Sequence, residues 1–308
     1  MITVRNISKY KEEYPTVITI GTFDGVHIGH LKILNKVINH AKSTELKSAV
    51  LTFFPHPRMV LQKDADIKLL NTIDEKISIL ERLGLDVLII HPFTVEFSRL
   101  TATEFVRDIL VNKLNIKKVI IGYDHRFGRN RNANITDLIA FGNALDFTVD
   151  EIPAQEIDDV SVSSTKIRKA LEDGDIDTAN SYLGYEYMLT GTIVRGKGIG
   201  KQLGYPTANL SIIEDYKLIP KNGAYIVKTE LDVTTVYGMM NIGFNPTVNG
   251  TEKTIEINFF DFDSDLYDKK IQVDILSRLR DEHKFESIDG LKAQLAKDKE
   301  KSLQYIQR

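Results

Sequence analysis

The feature that most constrains this chain is a change of pattern near residue 185. From Val17 to about Leu183, short apolar runs alternate with helical periodicity. Val17–Ile20, Ala49–Phe54, Asp86–Ile90, Val119–Ile121 and Phe147–Ile152 read as strands. Between them Leu31, Leu34, Ile38 and Ala41 recur at helical spacing. Thr72 with Glu75, and Thr101 with Glu104, form capping-box pairs ahead of apolar residues. Near-continuously apolar strands, each followed by a helix, point to a parallel sheet covered on both faces. From Tyr187 onward the helices thin out. Met188–Val194, Ala224–Thr229, Thr235–Ile242, Ile255–Phe260 and Ile271–Ile275 read as short strands separated by turns such as Asn222-Gly223 and Asn249-Gly250. That spacing predicts a small antiparallel barrel, closed off by a helix over 288–306. The expectation is an α/β domain over 1–184 and a barrel domain over 185–308, joined by a hinge at Gly184–Glu186.

Composition narrows the function classes. The 308 residues carry a net charge of −3, with 23 basic against 25 acidic side chains up to residue 185 and 17 against 18 after it. Neither half is a basic body, which disfavours tight sequence-independent binding of nucleic acid. The absence of cysteine excludes disulfides, Cys-ligated zinc and a thiolate nucleophile. The N-terminal segment has no apolar run of signal-peptide type, and no stretch approaches the roughly 18 apolar residues of a membrane span. A cytoplasmic protein with small-molecule partners, no nucleic acid and no membrane, existing as a monomer or weak homo-oligomer, is the expectation.

Five of the seven histidines lie just beyond the carboxyl ends of the expected parallel strands: His27, His30, His56, His91 and His125. Open α/β sheets bind ligands there, although histidine also lands in loops by chance. The segment Gly21-Thr22-Phe23-Asp24-Gly25-Val26-His27-Ile28-Gly29-His30 follows a strand and opens a helix. Its glycines permit a sharp turn, and a helix N-terminus offers N–H groups and a positive dipole end to phosphate. His27 and His30, three residues apart, can share one side of the first turn and face charge on a phosphoryl group. Zinc would need a third ligand, and the G-x-G-x-x-G fingerprint does not occur at this turn. Ser163-Ser164-Thr165 can cap a further helix, one turn before Arg168, whose planar fork suits phosphate oxygens. Phe54 and Phe127, at strand ends, can stack a flat ring or simply pack in the core. Asp124 and Arg126 can hold a substrate or pair with each other.

In the second half, Gly191-Thr192-Ile193-Val194-Arg195-Gly196-Lys197 matches a P-loop only as far as the lysine, and strands surround it. Gly196, Gly198 and Gly200 still make a loop able to fold over phosphates. In Gly204-Tyr205-Pro206-Thr207-Ala208-Asn209 a hydroxyl and an amide two residues apart can turn their oxygens towards Mg²⁺. Glu256, the polar member of Ile255-Glu256-Ile257, is either a carboxylate aimed at a pocket or a solvent-facing strand residue.

GTFDGVHIGH contains His27-Ile28-Gly29-His30, which resembles the HxGH motif of the nucleotidyltransferase superfamily. With Phe53-Phe54-Pro55-His56-Pro57, Gly122-Tyr123-Asp124-His125-Arg126-Phe127-Gly128 and Ser163-Ser164-Thr165-Lys166-Ile167-Arg168, it is similar to the adenylyltransferase half of the bacterial bifunctional riboflavin kinase/FAD synthetases. Leu203-Gly204-Tyr205-Pro206-Thr207-Ala208-Asn209, Asn241-Ile242-Gly243-Phe244-Asn245-Pro246-Thr247, Glu256 and Asp265-Leu266-Tyr267 resemble that family's riboflavin kinase domain. The resemblance implies a Rossmann-like nucleotidyltransferase domain followed by a riboflavin kinase-like barrel. It also implies that the chain phosphorylates riboflavin with ATP to FMN, then adenylylates FMN with ATP to FAD and pyrophosphate. By resemblance, Thr207 and Asn209 bind Mg²⁺ and ATP phosphates, and Glu256 is the general base. His27 and His30 serve the adenylyl transfer. Gly21, Phe23, Asp24, Gly29, Ser163, Ser164, Thr165, Arg168, Gly196, Gly198 and Lys201 contact nucleotide phosphates. Phe54, His56, Asp124 and Phe127 contact the flavin. Two positions depart from the family pattern: His125 replaces an aromatic residue, and Ile199 stands where the kinase loop commonly has arginine. The second departure leaves open a single-activity FAD synthetase with a weakened kinase domain.

Overall fold

A computed structural model describes residues 1–11, 14–62, 66–153, 162–196, 200, 204–247 and 250–307. Its first sheet is built from six strands: β1 (Ile2–Val4), β2 (Thr16–Ile20), β3 (Lys47–Phe53), β4 (Val87–His91), β5 (Ile116–Gly122) and β6 (Thr148–Ile152). The spatial order is β1-β4-β3-β2-β5-β6, every pairing parallel. β2 is buried at all five positions, as a central strand covered on both faces must be. One side of the sheet packs Ile18, Leu51, Ile89, Val119 and Ile121 against Phe105, Leu110 and Phe127. The other packs Val17, Ile120 and Ile152 against Val37 and Ala41 of the Ile28–Lys42 helix. The two expected capping boxes are present, at Thr72/Glu75 and Thr101/Glu104. The second opens a short turn that continues as a π-helix over Phe105–Val111, which buries Phe105, Val106 and Leu110.

The second sheet is a closed barrel of β7 (Tyr187–Val194), β8 (Ala208–Ser211), β9 (Gly223–Leu231), β10 (Thr234–Thr247), β11 (Gly250–Phe259) and β12 (Lys270–Asp281), in the order β10-β11-β8-β7-β12-β9. All its pairings are antiparallel. A C-terminal helix over Ile288–Ile306 follows, capped by Ser287. The α/β sheet followed by an antiparallel barrel and helix is the architecture expected above.

Contacts divide the chain into Met1–Ser164 and Thr165–Arg308. The helices Ser164–Asp173 and Ile176–Leu183 therefore belong, but for Ser164, with the barrel. Asn180 explains the attachment. Its Nδ2 donates to the Ile275 carbonyl at 2.9 Å, and its Oδ1 accepts from the Tyr187 N–H at 2.8 Å. The contact division thus precedes the expected hinge at Gly184–Glu186 by the length of this helical pair.

Candidate active sites

In the first unit, β2 has β3 on one side and β5 on the other, so the direction of winding reverses there. The carboxyl ends of β2 and β5 splay their loops apart and leave a crevice. A cavity of about 570 Å³ fills it, lined by Gly21, Phe23, His30, His56, Asp124 and Phe127 among others.

The turn after β2 is unusual backbone. Phe23 (φ 45°) and Val26 (φ 38°) both lie in the left-handed region, which is costly for a β-branched residue. Such strain persists only where the surroundings hold it. Here the Leu70 N–H donates to Asp24 Oδ1 at 3.0 Å, and Ser164 Oγ donates to the Asp24 carbonyl at 2.8 Å. The Thr22 carbonyl accepts from Lys76 Nζ at 2.6 Å and from Thr52 Oγ1 at 3.2 Å.

His27 is the N-cap of the Ile28–Lys42 helix, its Nδ1 accepting from the His30 N–H at 3.4 Å. This leaves the neutral ring's proton on Nε2. The two imidazoles stack with centroids 3.6 Å apart. Gly29 makes this possible, because a Cβ there would stand 3.2 Å from the His27 ring. His30 faces the cavity and His27 lies behind it. His30 Nδ1 is buried without a hydrogen-bond partner among the described residues. Burial pushes the His27 pKa down to about 4, against the pull of Asp24. His30 is held well below its ordinary value by burial, then by His27 and Lys76. Both rings are therefore neutral N–H donors near neutral pH.

The other end of the cavity is aromatic. Phe53, Phe93, Phe97 and Phe105 join Phe127 in its wall, with the Phe53, Phe93 and Phe97 centroids 5.5–5.8 Å apart. Phe53, the last residue of β3, brings its ring to this wall. His56 caps the short Pro57–Leu61 helix, Nδ1 accepting from the Arg58 N–H at 3.2 Å. His125 Nε2 is buried without a partner among the described residues, and burial holds this histidine's pKa at about 4. Ser163 is exposed beside Ser164. Thr165 and Arg168 lie beyond the contact division, on the Ser164–Asp173 helix.

In the second unit, a cavity of about 900 Å³ is lined by Gly196, Thr207, Asn209, Asn241 and Glu256. Register brings three of these together. Glu256 on β11 is paired directly with Asn209 on β8 and with Asn241 on β10. Directly paired residues project from the same face, with Cβ atoms about 5 Å apart. Forty-seven residues of separation in sequence thus collapse to one rung of the barrel. Asn258 Nδ2 donates to the Pro206 carbonyl at 2.7 Å, which fixes the approach to Thr207. A Cβ on Gly196 would run into the Asn209 amide, and one on Gly200 into the Tyr205 carbonyl. Gly196 and Gly200 therefore lie close against the Tyr205–Asn209 segment. Gly198 and Lys201, like Lys197 and Ile199, lie outside the described residues.

The far wall is made by Arg280, Phe285 and Asp298. Arg280 donates to buried Asp298 through Nε at 2.9 Å and Nη2 at 2.8 Å, so the C-terminal helix is locked against β12. The sequence pattern points to neither Asp298 nor Lys76, because a charged residue on an amphipathic helix reads as solvent-facing. Phe53 and Asn241 stand in the motifs quoted above, and the structure adds that Phe53 lines the first cavity and that Asn241 pairs with Glu256. Among the described residues, no group of three or more His, Asp or Glu side chains is placed to hold a metal ion. The donors Thr207 and Asn209 offer hard neutral oxygens, a set that suits Mg²⁺ when substrate phosphates and water complete its shell.

Family models match both halves. One described as FAD synthetase covers residues 9–166, and one described as riboflavin kinase covers 183–306. Proteins named bifunctional riboflavin kinase/FMN adenylyltransferase are similar along almost the whole chain. That of Listeria monocytogenes is 36% identical, over 92% of this chain and 90% of its own. Those of Bacillus subtilis and Escherichia coli K12 are 33% and 34% identical, each over 96% of this chain and 94% of its own. A crystal structure described as a macrolide-efflux protein from Streptococcus pneumoniae is 32% identical, with TM-score 0.87 and 97% of each chain covered. The word efflux belongs to that protein. Among the described residues here, no helix is long and apolar enough to cross a membrane.

Proposed function

Because this chain belongs to the bifunctional riboflavin kinase/FMN adenylyltransferase family, we propose that its two reactions take place one in each cavity described above. The chain phosphorylates riboflavin and adenylylates FMN. A weakened, single-activity form is not favoured, since both halves match their own family model. The functional division assigned to the chain is 1–184 for adenylyl transfer and 185–308 for the kinase.

The kinase reading is carried by the pairing of Glu256 with Asn209. Riboflavin's 5′-hydroxyl attacks the γ-phosphorus of ATP, the bond to the β-phosphate oxygen breaks, and ADP leaves. Glu256 takes the hydroxyl proton. Thr207 and Asn209 would hold Mg²⁺, which supplies neutralising charge to the phosphates when bound. Gly196, Gly198 and Lys201 are assigned to the loop over those phosphates.

In the first unit, an FMN phosphate oxygen attacks the α-phosphorus of ATP and pyrophosphate leaves. The nucleophile is already anionic, so no protein base is needed. His30, with His27 stacked behind it, donates N–H to the charge that develops at phosphorus. Gly21, Phe23, Asp24 and Gly29 shape the phosphate turn, and Ser163, Ser164, Thr165 and Arg168 are assigned to the nucleotide phosphates. His56, Asp124 and Phe127 are assigned to the flavin. Phe54 is assigned to the flavin with them. Mg²⁺ with ATP is the proposed cofactor. The cytoplasm is the proposed compartment, since both steps consume ATP. A monomer or weak homo-oligomer is the proposed assembly, each cavity being lined from one unit of one chain.

Product chromatography from riboflavin, ATP and Mg²⁺ tests the division. The H27A/H30A variant should accumulate FMN while FAD formation falls at least about 100-fold, the scale of losing transition-state donors. Glu256→Gln should lose about 100-fold or more of FMN synthesis, yet still convert added FMN to FAD. Equal collapse of both products in either variant would refute the assignment.

A further inference from the structure

Lys76 is the one lysine of the first unit whose buried ammonium meets the phosphate turn among the described hydrogen bonds. It sits on the Ile73–Arg82 helix, only 5% exposed. An ammonium buried this far needs a strong reason to be there, since desolvation opposes its charge. Burial indeed lowers its pKa, and the attraction of Asp24 opposes that shift. Its Nζ donates to the Thr22 carbonyl at 2.6 Å, a short charge-assisted bond. Thr22 precedes Phe23, the first left-handed residue of the turn. Asp24, the carboxylate that attracts Lys76, is itself 2% exposed and spends one oxygen on the Leu70 N–H. Lys76 does not line the cavity. Its helix is fixed independently, by the buried Thr72/Glu75 capping box one turn upstream.

We infer that Lys76 is a positioning residue for adenylyl transfer. Its charge pulls the Thr22 carbonyl out of the crevice and balances buried Asp24, so that the strained Phe23–Val26 turn keeps its N–H groups and His30 facing the reacting phosphates. A carbonyl released from Lys76 could swing towards the cavity and present an oxygen dipole to phosphate. It would also remove the positive charge that attracts buried Asp24. This inference rests on the assignment of adenylyl transfer to the turn at residues 21–30. It goes beyond it by naming a residue that never touches substrate.

The test uses the full chain, whose kinase activity serves as an internal control from a separate unit. Lys76→Met keeps the stem and removes the charge. It should lower kcat for FMN adenylylation about 10- to 100-fold, the cost of a small misplacement of the reacting groups. The KM for FMN should stay within about threefold of wild type, because the flavin side of the cavity is untouched. Riboflavin phosphorylation should be unchanged. Lys76→Arg, which keeps a donor and a charge, should recover most of the lost kcat. K76M should cost less in a D24N background than in wild type, since only the hold on the Thr22 carbonyl is then lost. Wild-type kcat in K76M, a loss borne by KM alone, or a K76R variant as impaired as K76M would each overturn the inference. Should K76M fail to fold, seen as a lost thermal transition with kinase intact, K76R decides the matter by the same criterion. The H27A/H30A variant separates the two levels. If it makes FAD normally, the site assignment is wrong. If it does not and K76M does, only the role of Lys76 is wrong.

Discussion

At the scale of single residues, three histidines of the first unit are forced to be neutral. His27, His30 and His125 all have pKa values lowered chiefly by burial, His27 and His125 to about 4. In the unfolded chain each would titrate near its ordinary 6.5. Between those values the unfolded state binds more protons than the folded one, so stability rises with pH across that window. The stability of the first unit should therefore fall as pH drops from about 6.5 towards about 4, at up to about 1.4 kcal/mol per pH unit for each histidine. Denaturant titrations followed by circular dichroism at several pH values would read the slope, and His125→Asn should reduce it. A flat profile would contradict the burial argument. That His30, His56, Asp124 and Phe127 gather around one cavity was legible in the sequence, because HxGH and its companions occur in strand-end order. The division of labour within the pair was not. Spacing put both rings on one side of a helical turn, whereas His27 caps that helix and stacks behind His30.

At the scale of elements, local chemistry was the best guide. The Thr72/Glu75 box was visible as two residues three apart, and it closes in both directions. Both residues are only 3% exposed, so Thr72→Ala removes a cap and leaves a buried N–H unpaired. A loss of about 1–2 kcal/mol in the first unit is expected, with riboflavin phosphorylation unaffected. Thermal unfolding of the full chain, followed with kinase assays, checks it. Elements without such signals went unread. β1 is three residues long, too short for periodicity, and exists because Ile2–Val4 adds in register to Val87–Ile89. β8 hid inside Ala208–Ser211 because a proline and polar residues precede and interrupt it. It became a strand through its two neighbours, β7 and β11. Tertiary pairing supplied what four residues of propensity could not.

At the scale of the whole molecule, the change of character near residue 185 marks where the barrel strands begin, while the contact division falls earlier, between Ser164 and Thr165. The pair Ser164–Asp173 and Ile176–Leu183 buries Ile167, Leu171, Ile176, Ala179 and Leu183. The Lys221 N–H donates to the Leu171 carbonyl at 3.0 Å, a tie from barrel loop to helix. A fragment of residues 165–308 should thus be more stable than one of 185–308 by several kcal/mol, given about 1.5–3 kcal/mol for each large apolar side chain kept buried. Comparing their denaturation midpoints tests this, and equal midpoints would show that the helices contribute nothing to the barrel.

The rung that joins Asn209, Glu256 and Asn241 has one more consequence. In a closed barrel every strand is clamped on two sides, so no strand can slide past its neighbour without rupturing a whole ladder. The spacing between the proposed base and the proposed metal ligand is therefore insulated from whatever happens in the loops. Position 199 can drift away from arginine, and the turns can lengthen or shorten, without moving that rung. Such a scaffold separates a part that tolerates change from a part that does not. Variation in this lineage should collect in the loop proposed to cover the phosphates, while the interval from carboxylate to amide stays fixed.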